Sequence, residues 1–412
     1  MLKTELLEII ANGESSGVEF KRDDIRPEQL AKEVVALVNF QGGKILLGVD
    51  DDGTIPGLQR ENAEEWVMNL ISEKVHPTIL PFYEEIQIAE NTTVAVLTFP
   101  QGNSKPYVRR HNKAEEVFIR VGSTSRLATR EQQMRLYEIG GMLHTETLPV
   151  SRTTSNDMDK IRIENYLRDI VNDPEIPSLD NEWEKRLANL GLLTGPNGMC
   201  TIAGIVLFGK QPRHHLKQSG LRIFAFNSQE KEYKAELDVI LDAPFAGRWD
   251  FSQGLKQLID EGLVESALQK IDPFISEESN KVTENLRREK SYFYPVEAIR
   301  EVLVNALVHR DWTRFVDIEI GIYSNRMEVI SPGSLQNSMT VEKMIAGQRH
   351  TRNSIIREIM RDYGYVDFRG MGLRTKVIPL MRSHNGCEPI FEVTEDYVKV
   401  TLPKRKVVNA SV

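Results

Sequence analysis

The chain has 412 residues, 40% of them apolar and 27% charged, with a formal net charge of −8 at pH 7. That length exceeds one ordinary hydrophobic core and predicts three domains, and the acidic balance excludes a polycation that coats nucleic acid nonspecifically. No run approaches the roughly 18 apolar residues of a membrane span, the N-terminal stretch Met1–Glu8 has no secretion-signal pattern, and Cys200 and Cys387 lie too far apart in sequence to read as a disulfide framework or zinc site, so a soluble protein of the reducing cytoplasm with no membrane partner is expected.

The N-terminal block, residues 1–145, reads as α+β. After Glu14-Ser15-Ser16-Gly17-Val18-Glu19-Phe20-Lys21 come Leu30, Val34, Leu37 and Val38 at the spacing of an amphipathic helix, which Gly42-Gly43 ends. Lys44–Val49 and Val94–Phe99 read as strands, Asp51-Asp52-Gly53 as a turn, Phe118–Val121 as a further strand, and a helical stretch begins at about Thr129. Basic residues concentrate in one segment, Lys105, Arg109, Arg110, Lys113, Arg120, Arg126 and Arg130. A local patch for nucleic acid is one reading, and a solvated loop and strand edge is the other.

Residues 146–285 form an expected α/β connecting domain, in which a polar run over 151–159 precedes helices that alternate with an apolar strand, Ile202–Phe208. Its Gly204-Ile205-Val206-Leu207-Phe208-Gly209-Lys210-Gln211 matches most of a P-loop pattern. The apolar interior and the glutamine at the hydroxyl position do not suit a phosphate cradle, so the segment is predicted to be a strand.

In the block 286–412, Tyr294-Pro295 opens a helix over about Val296–His309. Strands at about Val316–Tyr323 and Met327–Ile330, the turn Ser331-Pro332-Gly333, a helix over about Thr351–Tyr363 and the glycine turn Arg369-Gly370-Met371-Gly372 follow. Ile299, Val302, Leu303 and Ala306 make an apolar stripe, while Glu301 and Asn305 lie together on the other side, one turn apart and flanked by Val304 and Val308. A carboxylate and an amide held among apolar neighbours need a reason. A nucleotide site supplies one: the Asn305 amide oxygen can ligate Mg²⁺, Glu301 can orient or deprotonate water, and N–H groups of a Gly370-x-Gly372 turn can meet phosphates. A surface helix with a routine polar pair is the alternative.

Taken together, these residues resemble the GHKL, or Bergerat-fold, ATPases, and in particular the divergent group at the C-terminus of RecG-like proteins. The resemblance spans about 295–402 and implies a Bergerat-type α/β sandwich. It places Glu301 and Asn305 on the N-box, Ser331-Pro332-Gly333 on the first glycine box and Gly370-Met371-Gly372-Leu373 on the second. The implied ATP contacts are Glu301, Asn305, Ser331, Gly333, Gly370 and Gly372, with Mg²⁺ on Asn305. The family's first box carries an aspartate that accepts the adenine amine, and Ser331 stands there instead.

At the other end, Glu14, Glu19 and Lys21 form an acid-acid-base cluster, and Asp50, Asp51 and Asp52 follow the Lys44–Val49 strand. Carboxylates from two such segments can hold Mg²⁺ or Mn²⁺ at a scissile phosphate, although Asp51-Asp52-Gly53 is also an ordinary hairpin signal. Glu14-Ser15-x-x-x-Glu19-Phe20-Lys21 with Gln41–Asp50 resembles the Schlafen, or AlbA_2, core over about residues 10–130. That resemblance implies nucleic-acid binding and, in some members, a metal-dependent ribonuclease site, here Glu14, Glu19 and Asp50 as metal ligands with Lys21 beside them. Ser123 and Arg126 fall on a segment implied to contact phosphates, and Arg109, Arg110 and Arg120 join them as candidates. The combined expectation is an ATP-binding protein acting on RNA or DNA: a nucleotide-regulated nuclease in defence against phage, or else a non-cleaving, ATP-sensing DNA-binding regulator. A homo-oligomer is expected on analogy with both families.

Overall fold

The strand read as Lys44–Val49 is apolar at every position from Ile45 to Leu47 because both of its faces are covered. Ile45 and Leu47 pack with Leu30, Val34 and Leu37 of the helix Pro27–Asn39, while Leu46 packs with Phe20 and with Leu6 and Ile10 of the helix Lys3–Asn12. The computed structural model describes residues 1–112, 114–250, 257–282, 288–335, 339–348, 351–367 and 371–404. Gly43–Leu47 lies inside a four-stranded sheet ordered Val18–Lys21, Gly43–Leu47, Thr92–Phe99, Phe82–Ala89, with the first pair parallel and the others antiparallel. The hairpin Phe118–Val121/Thr124–Leu127 follows, and then the helix Arg130–Ile139, whose cap Thr129 accepts from the Gln132 amide at 3.3 Å.

The chain forms two compact units, 1–143 and 144–412. The expected boundary near 285 falls inside the second. There a six-stranded sheet runs Leu237–Leu241, Leu221–Ala225, Ile318–Ile322, Arg326–Pro332, Tyr397–Pro403, Ile390–Val393, so that strands from either side of residue 285 hydrogen-bond directly. Leu221–Ala225 is parallel to Ile318–Ile322, and the remaining pairs are antiparallel. The helices Leu263–Ile275 and Val296–His309 share one core with this sheet.

Ile202–Phe208 is a helix, not a strand. All seven residues are buried, and a short apolar run buried on every side shows neither helical nor strand periodicity. Thr201 caps it, accepting from the Gly204 amide at 3.1 Å, and a side chain at Gly204 would overlap the Leu192 carbonyl. The P-loop-like sequence is therefore a packing device. Among the described residues no helix is long and apolar enough to cross a membrane.

Candidate functional site

In the second unit, the helix Val296–His309 turns Ile299, Val302 and Leu303 into the core and directs Glu301 and Asn305 into a cleft. The Asn305 amide donates to Glu301 Oε1 at 3.2 Å, which leaves its oxygen without a partner among the described residues. Glu301 is only 7% exposed. Burial raises its pKa, while the Lys376 ammonium and the Asn305 hydrogen bond pull the other way.

Ser331, near the end of the strand Arg326–Pro332, donates its hydroxyl to the Ala306 carbonyl at 3.0 Å, so the lone pairs of that oxygen are what it offers a ligand. Gly333 has φ +106° and lies against Arg352 and Asp311, where a side chain would overlap both. Gly372 begins the helical run that continues to Asn385, and a side chain there would overlap the Glu301 carboxylate. Gly370 and Arg369 lie outside the described residues.

The cleft encloses about 1290 Å³, its open mouth included, and is lined by all five described residues expected there: Glu301, Asn305, Ser331, Gly333 and Gly372. Val302, Val329, Leu373, Phe391, Val398 and Val400 make an apolar wall beside them, and Thr351, Arg352, Arg357 and Asp367 add polar groups. The sequence reading missed Asp367 and Lys376. Lys376 Nζ lies 3.9 Å from Glu301 and 4.0 Å from Asp367, bridging two carboxylates. Its place four residues after Gly372, hence one helical turn inside the glycine-led helix, was the available signal. Arg352 and Asn353, beside the cleft, tie down carbonyls: Arg352 donates to Ser334 at 3.0 Å, and Asn353 to Val308 and Arg310 at 2.8 and 2.9 Å. Arg349 lies outside the described residues.

In the first unit Glu14, Glu19 and Lys21 do converge. Lys21 Nζ is 2.7 Å from Glu19 Oε1, 3.8 Å from Glu14 and 3.6 Å from Asp51. Burial disfavours this ammonium, yet its hydrogen bond and charge pairing with Glu19 raise its pKa, so it is a held cation and not a proton acceptor. Burial also raises the Glu14 carboxyl, offset by the 2.8 Å hydrogen bond it accepts from the Phe20 amide.

Two expectations change here. Asp50 does not join the cluster: it opens the turn that ends at Gly53, and its carboxylate faces Arg22 at 3.4 Å, so Asp51 is the aspartate near Lys21. Arg120 is not a surface residue. Its side chain is fully buried and donates to Glu19 Oε2 at 2.6 Å, to Glu33 at 3.4 Å and to the Ser15 carbonyl at 2.7 Å. Lys21 and Arg120 between them engage both oxygens of Glu19, and among the described residues no three His, Cys, Asp or Glu side chains are arranged as metal ligands.

The other basic candidates differ in availability. Arg109 is held by Glu116 and stacks 4.8 Å from the centre of Phe118. Arg110 is exposed but paired with Glu115 at 2.9 Å. Lys105 is buried against the Phe40 carbonyl at 2.7 Å, and Lys113 lies outside the described residues. Ser123 and Arg126 are exposed on the hairpin, and the Arg126 side chain has no partner among the described residues.

Comparison with known proteins agrees with this division. The family model described as Schlafen, AlbA_2 matches residues 14–129, and that described as Putative ATP-dependent DNA helicase recG C-terminal matches 316–402. The chain thus joins an AlbA_2-like N-terminal domain to a C-terminal HATPase-like domain in a mixed α/β architecture. The second match starts after the helix that carries Glu301 and Asn305, whose side chains line the same cleft as Ser331, Gly333 and Gly372. Among solved structures, the DIP2311 protein from Corynebacterium diphtheriae is 19% identical over 98% of this chain and 80% of that one, at a TM-score of 0.45. The N-terminal domain of a putative ATP-dependent DNA helicase RecG-related protein from Nitrosomonas europaea is 22% identical, covering 32% of this chain and 93% of that one, at a TM-score of 0.25. No curated protein matches the chain.

Proposed function

We propose that this protein binds ATP in the 144–412 unit and nucleic acid through the 1–143 unit, as an ATP-responsive nucleic-acid-binding protein. The observation that carries the reading is the gathering of Glu301, Asn305, Ser331, Gly333 and Gly372 around one cleft with an apolar wall. The wall suits a base, the Ser331 lone pairs accept from an exocyclic amine, and the first turn of the glycine-led helix faces phosphates with its free N–H groups. Asn305 fits Mg²⁺, since its amide oxygen is unpartnered among the described residues and this ion is held by few protein ligands together with phosphate oxygens. Glu301, buried beside it, is placed to orient or deprotonate a water.

Titration of the full chain with ATP and Mg²⁺ tests this. Asn305→Ala is expected to weaken binding by about tenfold or more, and equal affinities for parent and variant would remove the assignment.

Binding without cleavage is the reading favoured for the first unit, because Lys21 and Arg120 already engage both oxygens of Glu19. Cleavage of a labelled RNA or DNA in Mn²⁺ that disappears in Glu19→Gln would make the protein a nuclease instead.

A further inference from the structure

Glu146 lies just beyond Leu143, the last residue of the first unit. It is fully buried, and no lysine or arginine pairs with it among the described residues. Its carboxylate accepts three hydrogen bonds from the start of the helix Ser354–Asp362: Oε1 from the Ser354 hydroxyl at 3.0 Å and the Ile355 amide at 2.9 Å, Oε2 from the Ile356 amide at 2.9 Å. Helix caps are ordinarily local, placed beside the amides they satisfy. This one comes from 208 residues away. A buried carboxylate met only by two helix amides and a hydroxyl is a demanding way to cap a helix unless its place in the chain matters.

What it holds is a wall of the nucleotide cleft. Thr351, Arg352 and Arg357 line the cleft on either side of the capped residues. Between cap and wall, Asn353 is clamped to the carbonyls of Val308 and Arg310, and Arg352 to those of Ser334 and His309, the latter at 3.5 Å. The Val308, His309 and Arg310 carbonyls end the helix that carries Glu301 and Asn305, and Ser334 follows the strand Arg326–Pro332. The segment that bears Glu146 is itself anchored, the Leu148 carbonyl accepting from Ile202 at 3.1 Å and the Val150 amide donating to Cys200 at 2.8 Å.

We infer that Glu146 is a positioning residue of the nucleotide cleft, and that it couples the seating of the segment leaving the first unit to nucleotide affinity. The inference rests on the ATP reading above. Coupling of this kind is reciprocal: if a seated Glu146 favours ATP, bound ATP must favour a seated Glu146.

The test combines ATP titration of the full chain with hydrogen exchange at the Ile355 and Ile356 amides, for parent, Glu146→Gln and Glu146→Ala. Glu146→Ala is expected to bind ATP about tenfold more weakly, with Glu146→Gln between it and the parent. In the parent, ATP slows exchange at both amides; in Glu146→Ala that response is lost. A Glu146→Ala variant with lowered Tm but ATP affinity within about twofold of the parent is an ordinary structural cap and overturns the inference. If Glu146→Ala does not fold, Ser354→Ala removes one of the three donors at an exposed position, and unchanged affinity with an unchanged exchange response overturns it equally. A parent that binds no ATP fails earlier and differently, bringing down the nucleotide reading itself.

Discussion

At Glu301 a single side chain joins fold energetics to chemistry. Its carboxyl is raised from the ordinary value of 4.5, chiefly by burial, with the Lys376 charge acting against the shift. Between the unfolded and folded pKa the native state keeps a proton that the unfolded chain has lost, so stability falls as pH rises through that window, and the loss is complete above the folded value. Glu301→Gln stays neutral throughout. Thermal unfolding of the nucleotide-free protein between about pH 4 and pH 8 is therefore expected to show the variant gaining on the parent as pH rises. Parallel curves would mean that the carboxyl titrates as in water. The N-terminal cluster follows a different logic, in which Glu19 is buried but met by Lys21 and Arg120. Sequence spacing brought Glu14, Glu19 and Lys21 together correctly. It had no means of adding Arg120 and Glu33, about a hundred residues from Glu19 and fourteen from it respectively, because such partners are chosen by tertiary folding.

At the level of elements, legibility followed periodicity. The helix Val296–His309 was readable because a proline opens it and one face is continuously apolar. Ile202–Phe208 was misread because burial on all sides erases periodicity, although Thr201 was a cap signal available in the sequence. The glycine boxes read as turns, whereas Ser331 and Pro332 extend the strand Arg326–Pro332 and Gly372 starts a helix. Nor was the reason legible that Gly372 must lack a side chain: the Glu301 carboxylate occupies the space. Gly372→Ala therefore forces the helix start and Glu301 apart, overpacking that costs about 1–3 kcal/mol. If the strain is relieved by moving either element, ATP affinity drops by about tenfold or more, while an alanine in the first turn of a helix leaves far-UV circular dichroism as it was. Unchanged affinity would show that phosphates are not held at this helix start.

For the whole molecule, a net charge of −8 repels a polyanion, so binding to nucleic acid has to come from a few unneutralised cations on one surface. The structure narrows the basic segment sharply. Arg109 and Arg110 are paired with Glu116 and Glu115, Arg120 and Lys105 are buried, and Arg126, beside Ser123, and Arg130 stand exposed with no hydrogen bond or ion pair among the described residues. Each phosphate contact releases condensed counterion, so the slope of log K against log salt counts such contacts. Arg126→Ala is expected to weaken binding of RNA or DNA across sequences and to make that slope shallower by about one contact's worth. Arg110→Ala serves as the comparison, because its charge is already balanced by Glu115 and its loss is expected to change the slope by less. A fluorescence-anisotropy titration over a series of salt concentrations reads both. If Arg126→Ala keeps the parent's slope while Arg110→Ala loses one contact, the exposed hairpin is not the contact surface, and the Arg110–Glu115 pair opens on binding to supply the charge.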